Sequence, residues 1–198
     1  MNDKFQQIKG YIGHELVRLY FGKCRKTEFD LVGEELPLYL DEKEQTNPKL
    51  RSLQSARIDL VLRNKQKNEF VPVEIKFQEA NIGSYGVAIE HILNSHKNRR
   101  VVKVAISDDK DDKVVRLSRP WLVLWQRPSK ALIQKSKDYN WYEAPIGFNE
   151  IWNTLNEKLP KGRLEDELIG IVEKNLRLFF QEKTESISKD WKIRQLFD

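Results

Sequence analysis

With 198 residues, 39% of them hydrophobic and 33% charged, the chain has apolar material for one sizeable core and is short for two, and this balance excludes an intrinsically disordered protein. Lys plus Arg outnumber Asp plus Glu by 35 to 30, giving a formal charge of +5 and a pI near 9.1, which favours contact with a polyanion. The single cysteine, Cys24, excludes an intramolecular disulfide and a cysteine-rich zinc site; no apolar run approaches the roughly 18 residues of a membrane span and the polar N-terminus lacks the apolar stretch of a signal peptide, so a cytoplasmic protein without membrane contact is expected.

In chain order, residues 3–22 place Phe5, Ile8, Ile12, Leu16 and Leu19 at helical spacing, with Gly22, Lys23 and Arg25 as a stop. Gly10 and Gly13 lower helix propensity inside this first helix and would permit a close approach of another backbone. Residues 28–40 read as a strand or short hairpin, with Gly33 between two apolar runs. The polar segment from Asp41 to Gln54, interrupted by Pro48, is a loop placed to contact substrate, or simply disordered.

Ile58 to Arg63 and Phe70 to Gln78 are strands that should pair antiparallel across the charged turn Asn64 to Glu69. Tyr85, Ala88, Ile89, Ile92, Leu93 and His96 then share one face of a second helix closed by Arg100. Val101 to Ser107 and Trp121 to Gln126 follow as probable strands on either side of an acidic turn. Two more helices run from Phe148 to about Leu159 and from Leu164 to about Gln181. The expected organisation is a core over residues 1–145 and a C-terminal helical extension, 146–198, packed on the core or used in oligomerisation.

Within the strand Val73-Glu74-Ile75-Lys76-Phe77-Gln78, the two-residue period sends Val73, Ile75 and Phe77 to one face and Glu74, Lys76 and Gln78 to the other. Asp59 lies between Ile58 and Leu60 on the neighbouring strand, where a carboxylate is costly unless solvated, paired or bound to a cation. Two carboxylates from adjacent strands can share one Mg²⁺, which takes several oxygen ligands and keeps the rest of its shell for water or phosphate. Such a cation ionises water near neutral pH for attack on a phosphodiester, and Lys76 can orient that water or stabilise the transition state. The competing reading is a Glu–Lys pair on an ordinary surface.

Ile58-Asp59-Leu60, followed fifteen residues after the aspartate by Glu74-Ile75-Lys76, resembles the signature of the PD-(D/E)XK nuclease superfamily over roughly residues 5–107. The proline of that name is absent, Ile58 standing in its place. The resemblance implies an α/β, restriction-endonuclease-like αβββαβ core: a mixed central sheet flanked by helices, here with the C-terminal helical extension added. It further implies an endonuclease of the restriction, resolvase or mobile-element and defence type, with Asp59, Glu74 and Lys76 catalytic and Mg²⁺ as cofactor, Mn²⁺ substituting. Many members complete the metal site with an acidic residue of the first helix, for which Glu15 is the candidate, and Gln78 resembles a glutamine that some branches place after the lysine.

DNA is the expected partner, with RNA not excluded, and Lys97, Arg99, Arg100, Lys130 and Lys135 are candidate phosphate contacts, although basic clusters also serve as solvated surface. One site per chain implies a homodimer for double-strand cutting, or a place in a larger nuclease complex. The alternative function is a non-catalytic nucleic-acid-binding or scaffold subunit. His14, His91 and His96 read as structural or surface residues, the aspartates at 108–112 as a solvated turn. Trp121 and Trp125 read as core, leaving Trp141 beside Tyr139 and Tyr142 as the better base-stacking candidate. No Gly-rich phosphate loop is present.

Overall fold

The structure, a computed structural model, describes residues 2–39, 57–76, 103–108, 111–138 and 140–181. The anticipated loop at 41–54 and second helix at 85–100 lie outside these residues.

Helix α1 (Asn2–Leu19) continues into a π-helical turn, Tyr20–Cys24, closed by the Arg25 N–H donating to the Tyr20 carbonyl at 3.2 Å. The wider turn carries the helix past the glycine expected to stop it, and Tyr20 and Phe21 are both buried there. Arg25 then locks the end of the helix: its guanidinium binds the Glu28 and Glu143 carboxylates and lies 5.1 Å from the ring centres of Phe29 and Trp121.

The strands β1 (Phe29–Tyr39), β2 (Arg57–Asn64), β3 (Glu69–Lys76), β4 (Lys103–Asp108), β5 (Asp111–Arg116), β6 (Trp121–Leu124) and β7 (Ile146–Gly147) form one mixed sheet in the order β5-β4-β1-β2-β3-β6-β7. All neighbours are antiparallel except β3–β6 and β6–β7, which are parallel. Region 28–40 is a single strand whose interruption at Gly33 is a β-bulge, where the β1–β2 register shifts between Leu31 and Gly33. The expected β2–β3 hairpin is present. Asn64 Oδ1 accepts the Gln66 and Lys67 N–H groups at 3.0 and 2.8 Å, and Asn68 takes φ 53°.

The resemblance implies that the strand after the second helix is Val101–Ser107, and here the structure differs. Val104 and Ala105 of that segment belong to an antiparallel hairpin, β4–β5, on the far side of β1, whereas the parallel neighbour of β3 is β6. The burial patterns explain the difference. All four residues of β6 are buried, as in a strand covered on both faces, while in β4 Val104 and Ile106 are buried and Ala105 between them is only half-buried.

Helices α2 (Lys130–Asp138), α3 (Phe148–Lys158) and α4 (Arg163–Gln181) are the remaining helices among the described residues. The main core joins Leu16 and Val17 of α1, Ile151 and Leu155 of α3 and Leu164 of α4 to Leu60, Leu62, Val71, Val73, Trp121 and Val123 of the sheet. Burial of each such side chain contributes roughly 1.5–3 kcal/mol, so α3 and the start of α4 belong to this core. A second cluster gathers Ile58, Val61, Val104, Ile106, Val115 and Leu117. Of the two α1 glycines, Gly13 is closely approached, by side chains rather than by the backbone expected: a Cβ there would lie 3.0 Å from Trp125 Nε1 and 3.2 Å from Phe148 Cζ, whose rings stack at 4.4 Å. Among the described residues no helix is long and apolar enough to cross a membrane.

Candidate active site

The ladder between β2 and β3 runs from Asn64↔Glu69 to Leu60↔Val73 and goes no further. The next pair in register is Asp59 and Glu74, so both carboxylates stand where the two strands part. Beyond that point the Ile75 N–H donates to the Asp59 side chain, at 2.7 Å from Oδ2, in place of a β2 carbonyl. Asp59 thus has the partner that its apolar setting requires, and a fixed orientation with it.

Lys76 completes the group. Its Nζ lies 2.8 Å from Glu74 Oε2 and 3.9 Å from Asp59 Oδ2. Glu74 is only 2% exposed, and its Oε1 is buried without a hydrogen-bond partner. Burial pushes the Glu74 carboxyl up to about 8, the Asp59 charge adds to the shift, and Lys76 works against it. Burial opposes the charge on Lys76 as well, but the Glu74 and Asp59 carboxylates outweigh it and hold the ammonium above its ordinary value. A fixed cation therefore stands between two carboxyl groups, one of which is a proton reservoir near neutral pH.

Helix α1 and strand β1 close the site from the other side. His14 Nε2 lies 3.5 Å from Glu35 Oε1, and His14, Glu35 and Asp59 offer ligand atoms all within 4.8 Å of one another. Glu15, the expected helix ligand, is not brought to this point; it pairs with Arg18 at 3.1 Å. Arg18 also takes Glu34 at 2.9 Å, so of the two adjacent glutamates of β1 one is engaged by arginine and the other faces the histidine. His14, read from the sequence as structural or surface, is thereby the residue of α1 that meets Asp59. One signal could have found it: His14 follows Gly13, against which Trp125 and Phe148 pack.

Gln78, Lys97, Arg99 and Arg100 lie outside the described residues. Lys130 and Lys135 are exposed on α2, away from its buried residues Leu132 and Ser136. Trp141 is buried rather than presented for stacking, its backbone N–H donating to the Ser136 carbonyl at 2.9 Å; Tyr142 is half-buried and its hydroxyl accepts from Asn64 Nδ2 at 2.7 Å. Trp121, at 1% exposure, is core as expected.

Comparison of the chain with protein-family models, with curated proteins and with solved structures found no match.

Proposed function

We propose that the protein is a metal-dependent nuclease that hydrolyses phosphodiester bonds in DNA, of the PD-(D/E)XK kind. The observation that carries the reading is the convergence of Asp59, Glu74 and Lys76 where β2 and β3 part, with Lys76 within 4 Å of both carboxylates. The succession of a helix, three antiparallel strands and a parallel strand beside the third supports a restriction-endonuclease-like core.

The residues fit a divalent cation: a buried carboxylate oxygen without a partner lies beside a second carboxylate, with an imidazole and a further glutamate opposite. Such a cation, when bound, polarises the phosphoryl oxygen and supplies hydroxide near neutral pH. Asp59, oriented by the Ile75 amide, presents one oxygen ligand. Glu74 presents a second once its proton leaves. Lys76 keeps its positive charge through the reaction and places it beside the charge that grows on the phosphorane oxygens. Exposed Lys130 and Lys135, with a net charge of +5, supply non-specific attraction to the backbone. Cutting both strands of a duplex calls for two such chains as a homodimer.

The test is cleavage of supercoiled plasmid and of branched DNA by wild type and Lys76→Ala with Mg²⁺, Mn²⁺ or EDTA. Metal-dependent cutting that falls by on the order of a hundredfold or more in Lys76→Ala is the expected result. No cutting of either DNA by folded wild type would overturn the nuclease reading and favour a non-catalytic nucleic-acid-binding or scaffold role.

A further inference from the structure

Strand β1 carries Glu35 in an unusual setting. The β1–β2 register pairs Leu31 with Leu62 before the bulge and Gly33 with Val61, Glu34 with Leu60 and Leu36 with Ile58 after it. Glu35 therefore falls opposite Asp59, whereas the unshifted register would put Glu34 there. Glu35 also has φ 50°, in the left-handed region, and its carbonyl accepts from Arg57 Nη1 at 3.1 Å. A non-glycine residue in that conformation inside a strand is held by its surroundings, and such strain gathers at functional sites. The shift brings a second carboxylate across the strand pair from the first, an arrangement whose repulsion Lys76 offsets in part and a bound cation would offset further.

We propose that Glu35 and His14 join Asp59 as protein ligands of a divalent transition-metal ion. Two independent features point to a ligand there: the His14 Nε2 atom is buried without a hydrogen bond, and Glu74, buried and with a free oxygen, lies behind Asp59 on the neighbouring strand. Ligand atoms of one octahedral ion lie about 3 Å apart when cis and about 4.2 Å apart when trans, so three atoms within 4.8 Å of one another must draw together by side-chain rotation to close on one ion. The imidazole sets the metal class. Mg²⁺ takes oxygen donors, whereas a nitrogen donor beside two carboxylates suits Mn²⁺, Co²⁺ and their neighbours.

This inference deepens the nuclease reading, on whose metal requirement it rests, and its test separates the two. Mn²⁺, Co²⁺ and Mg²⁺ are titrated calorimetrically into the metal-free full chain, and the visible absorption of the Co²⁺ form is recorded at saturation. Wild type should bind Mn²⁺ and Co²⁺ at least about tenfold more tightly than Mg²⁺. Glu35→Gln and His14→Ala should each weaken Mn²⁺ at least about tenfold and change the Co²⁺ spectrum, while Glu15→Gln should leave both as in wild type. Equal affinity for Mg²⁺, no metal bound by wild type, or a Co²⁺ spectrum unchanged in Glu35→Gln would overturn the assignment, the last because a merely nearby charge alters affinity and not the ligand field. Metal binding through Glu35 without cleavage of any DNA would sustain the ligand set and remove the nuclease reading. Mg²⁺-dependent cutting that Glu35→Gln leaves intact, with metal affinity and Co²⁺ spectrum also unaltered, would do the reverse.

Discussion

The Ile75 amide donates to Asp59 Oδ2 at 2.7 Å, so the side chain of one strand closes the gap left where the backbone ladder of β2 and β3 ends. A single carboxylate thereby has two duties, satisfying a main-chain donor and presenting charge to the site, and two substitutions separate them.

Asp59→Asn keeps an oxygen for the Ile75 N–H and loses the charge. It should fold with near wild-type stability and lose DNA cleavage by on the order of a hundredfold or more. Asp59→Ala removes the acceptor as well and should cost a further 1–3 kcal/mol, roughly, of unfolding free energy for the orphaned amide. Urea denaturation of both variants beside a plasmid assay decides this; equal stability of the two would show that the Ile75 contact contributes nothing.

Glu74 links the site to pH. Its carboxyl is raised to about 8 from an ordinary value of 4.5, by burial first and by Asp59 second. Between those two pH values the folded chain keeps a proton that the unfolded chain has lost, so the group's contribution to stability is complete below about 4.5 and declines as pH rises towards 8. Metal-free protein should therefore lose stability from this group over that window, by about 1.4 kcal/mol for each unit of the shift that is realised. Glu74→Gln cannot titrate and should flatten the slope. Thermal unfolding at a series of pH values measures both, and parallel slopes in the two proteins would exclude Glu74 as the source.

The pair Gly10 and Gly13 in α1 offers a packing test on one helix. A Cβ at Gly13 would stand 3.0–3.3 Å from Trp125 and Phe148, while at Gly10 it would meet nothing within 4 Å. Gly10→Ala should stabilise by up to about 1 kcal/mol through helix propensity alone. Gly13→Ala should instead destabilise by about 1–3 kcal/mol, because the stacked Trp125 and Phe148 rings must move. Thermal unfolding of the two variants that shifted in the same direction would mean that α1 does not approach Trp125 as closely as these distances require.

Sequence reasoning reached the parts of this structure that depend on local pattern. Asp59, Glu74 and Lys76 emerged from two-residue alternation together with a motif, and the structure places them together. The β2–β3 hairpin and the two helices after Phe148 follow from apolar period and turn residues. What escaped was set by pairing between distant segments. Glu35 carries no signal in the sequence, because a bulge at Gly33, and not composition, decides which of the adjacent Glu34 and Glu35 faces Asp59. His14 reads from the sequence as structural or surface because the residues it meets, Glu35 and Asp59, lie on strands distant in the chain. Strand β5 is hidden in the sequence because the two aspartates at its start read as turn, and nothing local distinguishes Val101–Ser107 from Trp121–Gln126 as the neighbour of β3.

Glu35 itself yields the last prediction. Its φ of 50° costs an L-residue on the order of 1 kcal/mol that glycine does not incur, and in metal-free protein its carboxylate also stands across the strand pair from that of Asp59. Against this, the side chain is 56% exposed and its contact with His14 is a 3.5 Å ion pair that forms only when the imidazole is protonated, worth at most about 1 kcal/mol at a solvent-screened position. Lys76, which acts on both carboxylates, offsets part of the repulsion, and the backbone strain remains. Glu35→Gly should then make the metal-free protein more stable than wild type, by up to about 1 kcal/mol, at pH 8. Added Mn²⁺ should reverse the order, since ligation stabilises the chain that keeps the carboxylate more than the one that binds the ion more weakly. Melting curves of both proteins at pH 8 with EDTA and with excess Mn²⁺ test this crossing. A Glu35→Gly variant less stable than wild type in EDTA would mean that the left-handed conformation carries no strain, and equal stabilisation of the two by Mn²⁺ would remove Glu35 from the metal shell.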